Sequence, residues 1–111
     1  MGEPRMTLQT LAVLKVMLEQ PLGRHYGLEI SERADLPTGS IYPILARLEK
    51  LGWLRSEFEQ VDPSEVGRPP RRFYQLTAIG ERSARQNIEK ARDSLGSLGV
   101  SGRGMPAPGT A

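Results

Sequence analysis

Cysteine is absent from this chain of 111 residues, and histidine occurs only once, at His25. The lack of cysteine excludes disulfides, zinc ribbons and thiol nucleophiles, and one histidine cannot form a multi-histidine metal site. The longest strictly apolar run is residues 11–14, far short of the roughly 20 residues that a membrane-spanning helix needs. The first residues also lack the apolar segment of a signal peptide. We therefore expect a cytoplasmic protein with no membrane contact, no metal and no cofactor.

The sequence also lacks the residue patterns that enzymes use. It has no paired carboxylates in a recognisable setting, and no glycine-rich loop opens a helix after a strand. His25 has no nucleophile at an informative spacing, and residues 67–70 lack the lysine and the spacing of a phosphate-binding loop. We therefore expect no catalytic activity.

What is present is the composition of one compact globular domain, with 38% hydrophobic and 25% charged residues. The net charge is only +2, too weak to identify a partner by itself. The distribution of charge is more informative, because no acidic residue lies between Glu65 and Glu81. That interval contains Arg68, Arg71 and Arg72, and it is the one clearly basic segment.

Apolar periodicity predicts two helices in the first third of the chain. Thr7 can cap the first helix, which would run to about residue 20 with a stripe made of Leu8, Leu11, Leu14 and Leu18. A second helix fits residues 26–34 and would bury Leu28 together with Ile30 or Ala34. Residues 26 and 27 are predicted to serve packing, and His25 is predicted to be a solvated loop residue.

The third helix is the best specified by sequence. Pro43 is tolerated only near a helix start, so the helix should begin between Thr38 and Ser40, either of which can cap it. Gly52 stands where a left-handed C-terminal cap belongs, and Trp53 should then pack back on Leu48. The helix has two faces: an apolar one of Ile41, Ile44, Leu45, Leu48 and Leu51, and a second one of Ser40, Pro43, Arg47 and Lys50.

After the third helix, alternation predicts strands over residues 54–60 and 71–76. The connection of residues 61–70 is too long for a tight hairpin and too rich in proline and glycine to fold by itself. Thr77 should cap a last helix over about residues 78–95, and residues 99–111 should form a disordered tail. The order predicts a mainly α winged helix-turn-helix with a two-stranded β-wing over residues 1–76, followed by a C-terminal helix over residues 77–98.

Three segments resemble the PadR-like transcriptional regulators: residues 26–30 (YGLEI), 39–49 (GSIYPILARLE) and 67–80 (GRPPRRFYQLTAIG). The resemblance covers about residues 6–98, and the single helix after the wing is similar to the short branch of the family. It implies a winged helix that binds double-stranded operator DNA as a two-fold dimer, with dimerisation through the C-terminal helix. Some short members bind planar drugs at the dimer interface beside a tryptophan of the last helix, whereas the only tryptophan here is Trp53.

The candidate DNA-binding residues lie on the third helix and on the wing. They are Thr38, Gly39, Ser40, Tyr42, Pro43, Arg47, Lys50, Arg68, Arg71 and Arg72. Each has an alternative role: Tyr42 could be a core aromatic, Ser40 could be only a cap, and the cations could be solvated surface. We favour phosphate contact for the wing arginines and DNA contact for Tyr42 and Arg47, and leave Lys50 open because Glu49 is adjacent.

The candidate dimerisation residues share one helical stripe in the last helix, supplemented by the first helix. They are Leu8, Leu11, Ala84, Ile88, Ala91, Leu95 and Leu98. The stripe is only about two heptads long, so packing within the chain is an alternative. We predict a homodimeric repressor that occupies an inverted-repeat operator. The alternatives are a protein-interaction module without DNA binding and, compatible with repression, a sensor of a small-molecule effector at the dimer interface.

Overall fold

The computed structural model describes residues 6–97. In chain order its elements are α1 (Leu8–Leu18), β1 (His25–Tyr26), α2 (Gly27–Ala34), α3 (Thr38–Lys50), β2 (Leu54–Phe58), α4 (Pro63–Val66), β3 (Arg72–Leu76) and α5 (Ala78–Ser97). The strands form one antiparallel sheet in the order β1-β3-β2. The predicted winged helix is therefore confirmed, with a third short strand added to its wing. Leu98 and the predicted tail lie outside the described residues.

In α1 the predicted cap is confirmed and the predicted stripe is partly wrong. The Thr7 hydroxyl accepts a hydrogen bond from the Thr10 amide at 3.1 Å. Leu14 is buried, but Leu8 is 82% exposed. The side of α1 that meets the core is centred one residue away from the predicted stripe, on Thr10, Val13, Leu14 and Met17. These positions keep the helical spacing of three and four residues, so periodicity alone did not select the correct face.

In α2 the buried side chain is Ile30, whereas Leu28 is exposed, which corrects the predicted burial of Leu28. Two residues along a helix correspond to a rotation of roughly 200°, so Leu28 and Ile30 cannot share a face. The helix is only eight residues long.

The core side of α3 is confirmed, because Ile41, Ile44, Leu45 and Leu48 are all buried. The helix begins at Thr38 but follows Pro37, with no side-chain cap, so neither Thr38 nor Ser40 caps it. Its C-terminus is the expected left-handed cap: Gly52 has φ of 81° and the Trp53 amide donates to the Leu48 carbonyl at 3.0 Å.

Two short elements, β1 and α4, were not predicted from the sequence. β1 pairs His25 with Tyr74 and Tyr26 with Phe73. His25 is consequently buried, with its Nε2 atom 2.9 Å from the Gln20 carbonyl oxygen, and is not a solvated loop residue. Within the wing connection, Asp62 caps the single turn of α4.

Helix α5 starts as predicted, since the Thr77 hydroxyl accepts from the Gly80 amide at 3.0 Å. Its first turns pack against α1 and the sheet and place Ala84 in the same core as Val13 and Trp53. Among the described residues, none of the helices is long and apolar enough to cross a membrane.

Candidate nucleic-acid interface

One side of α3 faces solvent along its whole length. Tyr42, Pro43, Arg47 and Lys50 are exposed and Ser40 is half-buried, while the preceding Thr38 and Gly39 are exposed as well. The opposite side supplies the core, so this surface is available to a major groove, which admits one α-helix. The structure therefore brings together all seven α3 residues that the sequence singled out.

Tyr42 projects from α3 toward α2 and the wing. Its side chain is 44% exposed and does not belong to the core cluster. The ring borders a cleft of about 320 Å³ between the start of α2, α3 and the wing. The cleft is lined by Tyr26, Gly27, Leu28, Glu29, Tyr42, Arg71, Arg72 and Tyr74. All three tyrosines of the chain thus meet two wing arginines at one place beside α3.

The two exposed wing arginines are held by defined contacts. The guanidinium carbon of Arg71 lies 5.2 Å from the centre of the Tyr26 ring. Arg72 donates from Nε and Nη2 to the Ser56 hydroxyl at 3.0 and 2.9 Å, and its guanidinium lies 3.5 Å from a carboxylate oxygen of Glu49. Such contacts restrict the orientation of each guanidinium while leaving it accessible to a phosphate.

Arg68 is bound to an acidic residue of the same chain. Its Nη1 atom donates to the Glu59 carboxylate at 2.7 Å, in an ion pair within the chain. Hydrogen bonds from Arg68, from the Arg71 amide and from the Tyr26 hydroxyl lower the pKa of Glu59 to about 2 against the opposing effect of desolvation. The segment without acidic residues in sequence is therefore not free of acidic neighbours in space, and sequence reasoning did not identify Glu59.

On the other side of α3 an open groove of about 570 Å³ runs between this helix and the start of α1. It is lined by Thr7, Gln9, Ser40, Pro43, Ile44 and Arg47. Thr7 and Gln9 were not predicted as site residues, and no sequence signal separates them from ordinary helix-start residues. The exposed side of α3 is thus bordered by the wing cleft on one side and by the start of α1 on the other.

The candidate dimerisation residues do not all lie on the surface. Ala84 is completely buried within the chain, so its side chain has no surface for a partner. Leu11, Ile88 and Ala91 are half-buried, and Leu8 and Leu95 are exposed. Beyond Ala84 no described side chain of α5 is buried.

A helix-turn-helix with a solvent-facing third helix, flanked by an arginine-bearing wing, defines a DNA-binding winged-helix protein. Residues 13–86 match the model of the transcriptional regulator PadR-like family. The chain belongs to that family of transcriptional regulators, as its resemblance implied.

One solved structure agrees with this assignment, and two others share the fold. A PadR family transcriptional regulator from Eggerthella lenta shares 25% identity at a TM-score of 0.65, covering 83% of this chain and 82% of that protein. The PcaV transcriptional regulator from Streptomyces coelicolor, solved with its natural ligand, shares 23% identity at a TM-score of 0.65, over 89% of this chain and 65% of that one. NadR in complex with 4-hydroxyphenylacetate shares 23% identity at a TM-score of 0.60, over 84% of this chain and 62% of that one.

The chain spans under two thirds of the lengths of PcaV and NadR, and their likeness to it concerns the fold. Among curated protein sequences, none shows significant similarity to this chain.

Proposed function

We propose that this protein is a repressor that binds an inverted-repeat operator as a homodimer. The observation that carries the proposal is the position of the exposed side of α3 directly beside Arg71 and Arg72 of the wing. A helix in the major groove and a wing on the adjoining backbone are the two contacts that this architecture makes with DNA.

The two elements have different roles in the proposed complex. Tyr42 and Arg47 lie on the exposed side of α3 and are assigned to base edges, with Lys50 and Ser40 at its margins. Thr38, Gly39 and Pro43 bring the start of the helix close to the duplex. Arg71 and Arg72 are assigned to phosphates, which position a protein on DNA without reading its sequence. Arg68 is assigned to holding the wing, because its guanidinium is bound to Glu59.

Dimerisation is supported by the second half of α5. Ile88 and Ala91 are only half-buried and Leu95 is exposed, although the three form an apolar stripe. Pairing with a second copy of the helix around a two-fold axis would cover that stripe. Exposed Leu8 and half-buried Leu11 of α1 are assigned to the same interface.

The test is binding of the full chain to the DNA upstream of its own coding region, followed by fluorescence anisotropy. We expect saturable binding that competitor DNA of scrambled sequence does not abolish. Affinity should fall about a thousandfold between 50 and 200 mM salt if several phosphates are neutralised per dimer. An affinity that does not change with salt concentration would refute the electrostatic contacts. Absence of binding to any duplex would favour a protein-interaction module instead.

A second candidate function, compatible with the first, is sensing of a small aromatic effector. A groove of about 320 Å³ between α1 and α5 is lined by Leu18 and Ile88, by three cations and by one acid, namely Lys15, Arg85, Arg92 and Glu89. Arg85 is itself paired with Glu81, so the cations outnumber the acids only by a small margin. The groove lies beside the proposed dimer interface, and PcaV and NadR were solved with ligands. The test is titration with the aromatic anion 1-anilinonaphthalene-8-sulfonate. Saturable fluorescence that Ile88→Ala weakens would support the site.

A further inference from the structure

The carboxylate of Glu59 lies where the wing loop meets all three strands. Oε1 accepts from Arg68 Nη1 at 2.7 Å and from the Arg71 amide at 2.9 Å. Oε2 accepts from the Tyr26 hydroxyl at 3.1 Å and from Arg68 Nη2 at 3.4 Å. The side chain is only 10% exposed. Both oxygens therefore accept two hydrogen bonds each, which is the full capacity of an ionised carboxylate.

The donors come from separate segments of the chain. Tyr26 belongs to β1, Arg68 follows α4, and Arg71 immediately precedes β3. The Glu59 amide also donates to the Arg71 carbonyl at 2.8 Å, so the two residues are joined in both directions. One side chain consequently closes the wing connection and attaches it to β1.

Arg71 is constrained by Glu59 in two ways. Glu59 binds the main chain of Arg71 directly, and it also binds the hydroxyl of the Tyr26 ring over which the Arg71 guanidinium lies. The same carboxylate thus fixes the main chain of Arg71 and the Tyr26 ring against which the Arg71 side chain packs. Arg72, the next residue, starts β3 from this fixed point.

We propose that Glu59 is a positioning residue of the DNA-binding wing, which orients Arg71 toward the phosphate backbone although its own charge is of the wrong sign for DNA. This assignment rests on the proposed DNA binding. It makes a prediction opposite in sign to simple electrostatics. Removal of a negative charge near a duplex normally strengthens binding, because repulsion from phosphates is lost. If Glu59 positions Arg71, its neutralisation weakens binding instead.

The experiment compares Glu59→Gln with Glu57→Gln in the full chain. Both variants remove one negative charge from neighbouring positions of the same segment, but Glu57 is exposed on β2. The probe is a mixed-sequence duplex of about three helical turns, because phosphate contacts do not depend on sequence. We expect Glu59→Gln to weaken binding on the order of tenfold and Glu57→Gln to leave it unchanged or strengthen it.

The salt dependence separates positioning from a general loss of folded protein. Loss of the Arg71–phosphate contact should reduce the slope of log affinity against log salt by about one per wing, whereas a smaller folded fraction leaves the slope unchanged. Tyr26→Phe provides a milder variant that removes one donor to Glu59 without changing charge. It should weaken binding severalfold in the same direction.

Each outcome has a distinct meaning. A wild-type chain that binds no duplex overturns the proposed function and this assignment together. Wild-type binding with Glu59→Gln equal to or tighter than Glu57→Gln overturns the assignment alone, because the two lost charges then have only an electrostatic effect. An unchanged salt slope in Glu59→Gln also overturns it.

Discussion

The ring of Tyr42 in α3 lies directly on Gly27, the first residue of α2. A Cβ atom placed on Gly27 would lie 2.6 Å from each of two ring carbons of Tyr42, well inside contact distance. The absence of a side chain at position 27 therefore decides where the Tyr42 ring can lie. Packing at Gly27 was predicted from sequence, but its partner is the exposed tyrosine of the proposed DNA surface.

We expect Gly27→Ala to move the Tyr42 ring and to weaken operator binding, with little change in helical content. The reason is that the tip of an exposed side chain can rotate away from the new methyl group. Anisotropy titration on the operator, with circular dichroism as the check on folding, tests this expectation. In the double variant with Tyr42→Ala, the Gly27 substitution should add no further loss, because both changes act through the same ring. Additive losses would show that Gly27 acts on DNA binding by another route.

Gly80 in the first turn of α5 faces an obstacle that cannot move as easily. A Cβ atom at this position would overlap the Trp53 carbonyl oxygen and lie 2.7 Å from its carbonyl carbon. We expect Gly80→Ala to destabilise the protein by about 1–3 kcal/mol or more, despite the better helix propensity of alanine. Gly96→Ala in the same helix meets no atom within 4 Å and should be neutral or stabilising. Urea unfolding of the two variants measures the difference, and equal midpoints would contradict this packing.

In the proposed complex the wing arginines position the protein on DNA and the α3 side chains contact base edges. These two roles predict two different losses of binding affinity. Arg71→Ala and Arg72→Ala should weaken binding to operator and scrambled duplex alike, because phosphate contacts carry little sequence information. Tyr42→Ala or Arg47→Ala should cost about 1–3 kcal/mol mainly on the operator. Paired titrations on both duplexes give the ratio directly. A change of sequence preference in the wing variants alone would mean that the two roles are reversed.

The proposed dimer predicts the behaviour of Ile88→Asp, which puts an unpaired charge into the α5 stripe. We expect monomers that retain their helical content and lose operator binding, as measured by sedimentation and anisotropy. Gln86→Asp on the exposed side of the same helix should remain dimeric. Two recognition helices about 34 Å apart would require half-sites one helical turn apart. A wild type that sediments as a monomer at micromolar concentration and binds a single half-site tightly would rule out dimerisation.

Local signals in the sequence were sufficient for most helix ends and for the core side of α3. Thr7 and Thr77 cap α1 and α5 through amides only three residues away, and Gly52 ends α3 within one turn. Such interactions are complete within a few residues, so a sequence window contains both partners. The predicted order of three helices, two strands and a final helix is that of a winged helix-turn-helix.

Most of the remaining features depend on contacts that no local window contains. The two-residue β1 exists because it pairs with β3 almost fifty residues later in the chain. In the sequence Glu59 is only one polar residue at the end of a strand. Its proposed role in positioning Arg71 depends on hydrogen-bond donors 9, 12 and 33 residues away. Nothing in the sequence distinguishes Gly80 from other glycines. Its importance comes from its close contact with the Trp53 main chain in the folded protein. Propensity, capping and periodicity are local, so the long helices, the two longer strands and the family could be inferred from the sequence. The pairing of Arg68 with Glu59 and of Arg72 with Glu49 depends on distances in space, so only the folded chain reveals it.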